Sequence, residues 1–261
     1  MRLGEVVRLG VRSAGWLWGA AVLRHTMLPY ARHRVGKLDI RVDGAQHLDT
    51  LSGAAYIVVS NHLYPTDKPF RLAGRGIFRR CRRSMDSFVF QRVVRERTGQ
   101  DLCVVARYGR DSWPDDPLKR LLQRSIRQPL TRGELEGMGY IPVDLKAGIL
   151  HRAFLAAAAR VLARPQPILI FPQGVASDDF DPEQIKAGAP HLAVRRHVPI
   201  LPAHIEGTDS WRSGRPIRVR FGPPIQPDGR SKGDLAAEIR TSIVALGAMQ
   251  EGGPATAEGN G

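Results

Sequence analysis

The sequence predicts an α/β fold, a mixed sheet flanked by helices, because short apolar runs of strand length alternate along the chain with stretches of helical period. Two other observations point the same way. At 261 residues with 43% apolar side chains, the chain can bury one sizeable core. No run reaches the roughly 20 consecutive apolar residues that a membrane-spanning helix needs.

Taken in order, residues 37–42 (Lys-Leu-Asp-Ile-Arg-Val) alternate with period two, as a half-buried strand does. Residues 55–59 and 168–171 are continuously apolar and read as strands covered on both faces. Residues 102–106, 140–143, 199–205 and 217–221 complete the predicted strands. Between them, residues 147–164 space Ile149, Leu150, Phe154, Leu155, Val161 and Leu162 at helical intervals, and residues 183–196 form a second helical stretch. From 78 to 137 arginines are dense and Trp113-Pro114-Asp115-Asp116-Pro117 breaks any period; helices with a basic, substrate-facing surface are expected there.

The two ends differ from this core pattern. Residues 1–34 mix Arg2, Arg8, Arg12, Arg24 and Arg32 with Trp16, Leu17, Trp18, Val22, Leu23 and Leu28, while residues 13–23 carry no charge. Eleven uncharged residues are too short to cross a bilayer, but paired tryptophans and flanking arginines suit the headgroup boundary. An N-terminal amphipathic helical segment lying on a membrane is therefore expected, against the plainer alternative of a helix packed on the domain. Residues 251–261 are Gly, Ala and polar residues and are expected to be disordered. The organisation predicted is a membrane-interface segment over 1–34, one domain over 35–250 and a tail over 251–261. With no cleavable secretory pattern, the expected location is peripheral, on the cytoplasmic face of the membrane.

Cys81 and Cys103 have neither a disulfide framework nor metal-ligand spacing. His191, His197 and His204 are close in sequence but match no ligand motif, so no metal is expected. The net charge of +14 predicts an acidic partner: lipid headgroups, coenzyme A phosphates, an acidic carrier protein or nucleic acid. Nucleic acid is the disfavoured member, because the chain has no zinc finger, RNA-recognition signature or aromatic-basic platform.

The chemistry concentrates where the strand 55–59 runs into Ser60-Asn61-His62-Leu63-Tyr64-Pro65-Thr66-Asp67. A histidine just past a strand end sits where open α/β sheets place ligands. Pro65 suits a first helical position, which puts Asp67 in the first turn of a new helix. Across such a corner the carboxylate can fold back on the imidazole, fix its tautomer and free the other nitrogen to accept a proton. The same spacing also fits a surface histidine beside a helix-capping aspartate.

Four blocks in order add to this. Asn61-His62 with Asp67, Gly139-Tyr140-Ile141-Pro142-Val143-Asp144, Ile170-Phe171-Pro172-Gln173-Gly174 and Val198-Pro199-Ile200-Leu201-Pro202 resemble those of the lysophosphatidic acid and glycerol-3-phosphate acyltransferases, whose simplest members are the PlsC-type bacterial enzymes. Lys186-x-Gly188 and 219–225 fit as well. The resemblance implies a glycerolipid acyltransferase-like fold and transfer of a fatty acyl group from acyl-CoA or acyl-carrier protein, as co-substrate and without other cofactor, to a lysophospholipid hydroxyl. It implies His62 and Asp67 as catalytic residues, and Asn61, Arg107, Gln173, Gly174 and Lys186 as substrate-binding candidates. The absence of a Gly-x-Ser-x-Gly elbow agrees with direct transfer.

The third block departs from the family's usual Phe-Pro-Glu-Gly-Thr-Arg at Gln173, Val175 and Ala176, and Leu145 stands where an arginine is expected after Asp144. Lost cations weaken the expectation of a phosphorylated acceptor. A glycolipid or other lipid alcohol, or a lipid-binding relative without turnover, are the alternatives this leaves. Arg107 is the candidate for supplying the missing charge, and Asp178, Asp179 and Asp181 for receiving sugar hydroxyls; the plainer reading of each is a solvated surface group.

Overall fold

The computed structural model describes residues 28–63, 85–108, 116–122, 128–144, 152–174, 180–211 and 213–249, with shorter pieces between 13 and 25. In chain order the described elements are α1 (Leu28–Gly36), β1 (Ile40–Asp43), α2 (Ala45–Asp49), β2 (Ile57–Ser60), α3 (Met85–Thr98), β3 (Cys103–Tyr108), α4 (Pro117–Leu122), α5 (Gln128–Gly137), β4 (Tyr140–Asp144), α6 (Arg152–Leu162), β5 (Ile168–Ile170), a 3₁₀ turn (Pro182–Gln184), α7 (Gly188–Arg196), β6 (Ile200–Glu206), β7 (Ile217–Phe221) and α8 (Lys232–Ala248).

All seven strands expected from the apolar runs are present, in one sheet of order β1-β7-β6-β2-β5-β3-β4. Neighbours from β6 to β4 pair in parallel, β7 runs antiparallel to β6, and β1 is parallel to β7. The sheet is therefore mixed. Successive strand residues point to opposite faces, and the two cores divide accordingly. Val58, Val104, Leu169 and Leu201 join the α1, α2, α3 and α5 side, while Ile57, Val59, Ile168, Ile170 and Ile200 join the α6, α7 and α8 side. Double coverage explains why β2 and β5 are apolar at nearly every position.

The arginine-rich stretch differs from expectation. Helix α3 buries Met85, Asp86, Ser87, Phe88, Val89, Phe90, Val93 and Val94, so its main role is to cover the sheet rather than present a basic surface. Its arginines lie on the outer side in ion pairs, Arg92 with Glu96, Arg95 with Asp101 and Arg97 with Asp49. The apolar positions were legible; the arginines between them masked the period.

At the N-terminal end, α1 packs on α3 with Ala31 and Val35 in the core, so a boundary at residue 34 runs through a packed helix. Before it, residues 16–18 are helical, with Trp16 Nε1 donating to Glu136 Oε2 of α5 at 2.6 Å. Gly133 makes this close approach possible: a Cβ there would stand 2.1 Å from the Trp16 carbonyl oxygen. Leu17 and Trp18 remain 59% and 68% exposed. No helix among the described residues is long and apolar enough to cross a membrane. The expected disordered tail lies outside the described residues.

On the far side of the sheet a titratable side chain packs against α8. His204 of β6 abuts α8 beside Gly247, and its Nδ1 is buried without a partner. Burial holds its pKa below the ordinary value; Arg220 pushes the same way and Glu206 opposes. The folded protein thus keeps His204 neutral at a pH where the unfolded chain takes up a proton. Its contribution is complete above the unfolded value near 6.5 and is lost as pH falls below it. Thermal unfolding at stepped pH should show wild type losing about 1 kcal/mol per pH unit below about pH 6.5, and His204→Gln should flatten that loss. An unchanged slope in the variant would assign the loss to other groups.

Candidate active site

Strand β2 is buried along its whole length between β5 and β6, and it delivers Asn61 and His62 beyond its carboxyl end. Asn61, 1% exposed, donates from Nδ2 to the Ile205 carbonyl and accepts the Ile205 N–H at Oδ1, both at 2.8 Å. Ser60 Oγ donates to the same Oδ1 at 3.1 Å. These bonds extend the β2–β6 pairing by one residue after the backbone ladder ends. Asn61, a substrate-binding candidate from the sequence, holds the strand end that carries His62.

The imidazole of His62 leaves the sheet half-covered, its side chain 18% exposed. One face stacks on Phe171, which follows β5, with ring centroids 4.1 Å apart and planes 16° from parallel. Nδ1 lies 2.7 Å from Asp86 Oδ2, and the Leu63 backbone N–H donates to the same oxygen at 2.9 Å. Asp86 occupies the first turn of α3 and its side chain is 3% exposed. A carboxylate in a helix's first turn is favoured by the dipole. With Nδ1–H donating to Asp86, Nε2 is the nitrogen with a free lone pair.

Asp86 was missed by the sequence reading, which assigned the partner's position to Asp67. Asp67 lies outside the described residues, as does the helix start after Pro65. The signal for Asp86 was present but not local. Arg83-Ser84-Met85-Asp86-Ser87-Phe88 places an acid at the head of an apolar helix, yet nothing in the one-dimensional pattern brings it back across 24 positions to His62.

The turn after β5 forms the next wall. Gly174 N–H closes on the Phe171 carbonyl at 3.0 Å, with Gly174 at φ 75°, and Lys186 N–H donates to the Pro172 carbonyl at 3.1 Å. Gln173 is 2% exposed and its Oε1 is buried without a hydrogen-bond partner. A buried amide oxygen left unpaired costs about 1–3 kcal/mol. The Lys186 side chain is exposed, and its backbone N–H contacts this turn. Arg107 is the fifth residue of β3, opposite Val143 of β4; its side chain lies outside the described residues, as do Leu145, Val175, Ala176, Asp178 and Asp179. Asp181 caps the 3₁₀ turn by accepting from Glu183 N. Among the described residues no three His, Cys, Asp or Glu side chains gather as a metal site would require.

Residues 82–206 match the Acyltransferase family model. The match starts four residues before Asp86 and stops short of His62. The 1-acyl-sn-glycerol-3-phosphate acyltransferases of Limnanthes alba and Limnanthes douglasii are each 37% identical to the chain over 79 residues, 27% of this chain and 28% of theirs. The chain thus aligns with little more than a quarter of the length of those relatives. The crystal structure of the 1-acyl-sn-glycerophosphate (LPA) acyltransferase PlsC from Thermotoga maritima superposes with a TM-score of 0.47 at 20% identity, over 97% of this chain and 86% of that one. The segment that holds Asp86, Phe171 and Gln173 is thus the part of the chain that is similar to the Acyltransferase family.

Proposed function

We propose that the chain moves a fatty acyl group from acyl-CoA or acyl-carrier protein to a hydroxyl of a lysophospholipid, with 1-acyl-glycerol-3-phosphate as the default acceptor and His62 as general base. The observation that carries this reading is the His62–Asp86 pair at 2.7 Å, presented at the carboxyl end of a central strand. Asp86 holds the Nδ1–H tautomer and stabilises the imidazolium once it forms. His62 Nε2 takes the acceptor's hydroxyl proton as the oxygen attacks the thioester carbonyl. The tetrahedral oxyanion then collapses, the C–S bond breaks, and the proton held on Nε2 goes to the departing thiolate. Stacking on Phe171 covers one ring face and restricts the imidazole's orientation. The net charge of +14 would draw in either donor, since coenzyme A phosphates and a carrier protein are both acidic.

One observation favours a variant acceptor. Gln173 is neutral where the family usually has glutamate, and its buried oxygen lacks a donor. A lipid alcohol carrying an additional hydroxyl would supply one. The membrane surface belongs to this proposal as the place where a lysolipid acceptor is met, and exposed Leu17 and Trp18 support it.

The deciding assay incubates purified protein in detergent or on liposomes with labelled acyl-CoA and acyl-carrier protein, against lysophosphatidate, other lysophospholipids and glycolipids. Labelled product with lysophosphatidate is expected; product with glycolipids alone would favour the variant acceptor, and none with any acceptor would reject the reading. His62→Ala should lower kcat by about 10²–10⁴ with circular dichroism unchanged; retained transfer would remove His62 from the chemistry.

The two aspartates can be separated in the same assay. Asp86→Asn should cost most of the rate with little change in acceptor KM, and should change the imidazole ¹⁵N signature of the His62 tautomer. Asp67→Asn should stay within about twofold of wild type, because the Nδ1 position is already taken by Asp86. The reverse ranking would return the orienting role to Asp67.

A further inference from the structure

Helix α4 presents two large apolar side chains to water. Leu118 is 63% exposed and Leu121 48% exposed. They stand three positions apart and so share a helical face. Neither belongs to either core. The helix does not owe its shape to those leucines: Pro117 occupies its first position, and Asp116 Oδ1 accepts the backbone N–H groups of Leu118 at 2.8 Å and Lys119 at 3.0 Å. A capped six-residue helix holding two leucines outward is built for contact with something else.

Topology sets which edge of the sheet it faces. Strands β2, β5 and β3 run in the same direction, so β3 ends on the edge where β2 delivers His62. Helix α5 follows and leads into the start of β4, which is parallel to β3. Helix α4 therefore lies early in the crossing that leaves the edge carrying His62, before α5 takes the chain back to the opposite edge where β4 begins.

We infer that α4 seats on a lipid bilayer bearing anionic headgroups, with Leu118 and Leu121 entering the interfacial layer at the edge that carries His62. Charge selects this occupant. The chain carries +14, and Lys119 stands between the leucines with its side chain 73% exposed. Its pairing with Asp116 is loose, at 3.8 Å, and leaves the ammonium open to a headgroup phosphate. Apolar side chains flanked by cations match the boundary between acyl chains and headgroups. The purpose of the contact rests on the acyl-transfer reading, since a lysolipid entering at this edge would reach the imidazole without crossing bulk water. The contact itself does not depend on that reading.

The test uses the full chain with Leu118→Ser and Leu121→Ser combined, an exchange of exposed side chains whose folding is checked by circular dichroism. Sedimentation with phosphatidylcholine vesicles containing a minority of phosphatidylglycerol should show wild type bound and the double variant bound about tenfold or more weakly, the effect of removing one to two buried leucine contacts. With lysolipid presented in those vesicles, acceptor KM should rise by the same factor, while transfer to a short-chain water-soluble lysolipid changes less than twofold. Wild type that fails to sediment, or a double variant that sediments equally, overturns the inference. Equal loss on the soluble acceptor also overturns it, by placing the leucines in the site itself. If wild type acylates no acceptor, the acyl-transfer reading fails while the sedimentation result still decides the role of α4.

Discussion

Asn61 exchanges two hydrogen bonds with the backbone of Ile205, and the point where His62 leaves the sheet depends on that exchange. Strand β2 has only four residues in the ladder, all fully buried. Beyond Ser60 the backbone bonds stop, and without the amide the next residue would be free to turn away from β6. Because Asn61 is clamped, His62 emerges at a fixed point, within reach of Phe171 on one side and Asp86 on the other. A residue pattern that looks like a substrate contact in one dimension is, in three, the part that fixes where the imidazole leaves the sheet.

The anchoring groups around the imidazole come from three separate parts of the sheet and its cover. Phe171 comes from the end of β5, Ile205 from β6 and Asp86 from the first turn of α3. Each sits on an element whose own packing is complete, so the geometry at the edge is inherited from the core. Asp86 is the extreme case. Its carboxylate is 3% exposed among the apolar residues of α3, and it remains acceptable there because two donors, the imidazole Nδ1–H and the Leu63 N–H, converge on one oxygen. Gln173 is the counterexample, a buried oxygen with no donor on the same edge.

What the sequence revealed follows from the range of each interaction. The strands were legible from short apolar runs, unbroken in β2 and β5 where both faces are buried and alternating in β1, and the third-block turn because Phe171-Pro172-Gln173-Gly174 is local. His62 was legible for the same reason, lying directly after a strand. Helix α3 was obscured by arginines that pair outward with Glu96, Asp101 and Asp49 while Phe88, Phe90 and Val94 fill the core. Asp86 was beyond reach because its contact with His62 is set by the docking of α3 on the sheet, and a nearer aspartate offered the shorter spacing. Likewise the anchoring role of Asn61 could not be seen in the sequence, because Ile205 is 144 positions away.

The bond from Leu63 N–H to Asp86 Oδ2 has a consequence for how this chain tolerates change in length. It joins the residue just after His62 to the head of α3, so the connector between them starts and finishes at the same place in the fold. The entropy of closing such a connector grows only as the logarithm of its length. On that scaling, a change in the number of residues between positions 63 and 86 adds little to the cost of bringing the imidazole and its carboxylate together. Two proteins sharing this edge geometry can therefore differ in the number of residues between the histidine and its aspartate while the pair keeps its alignment.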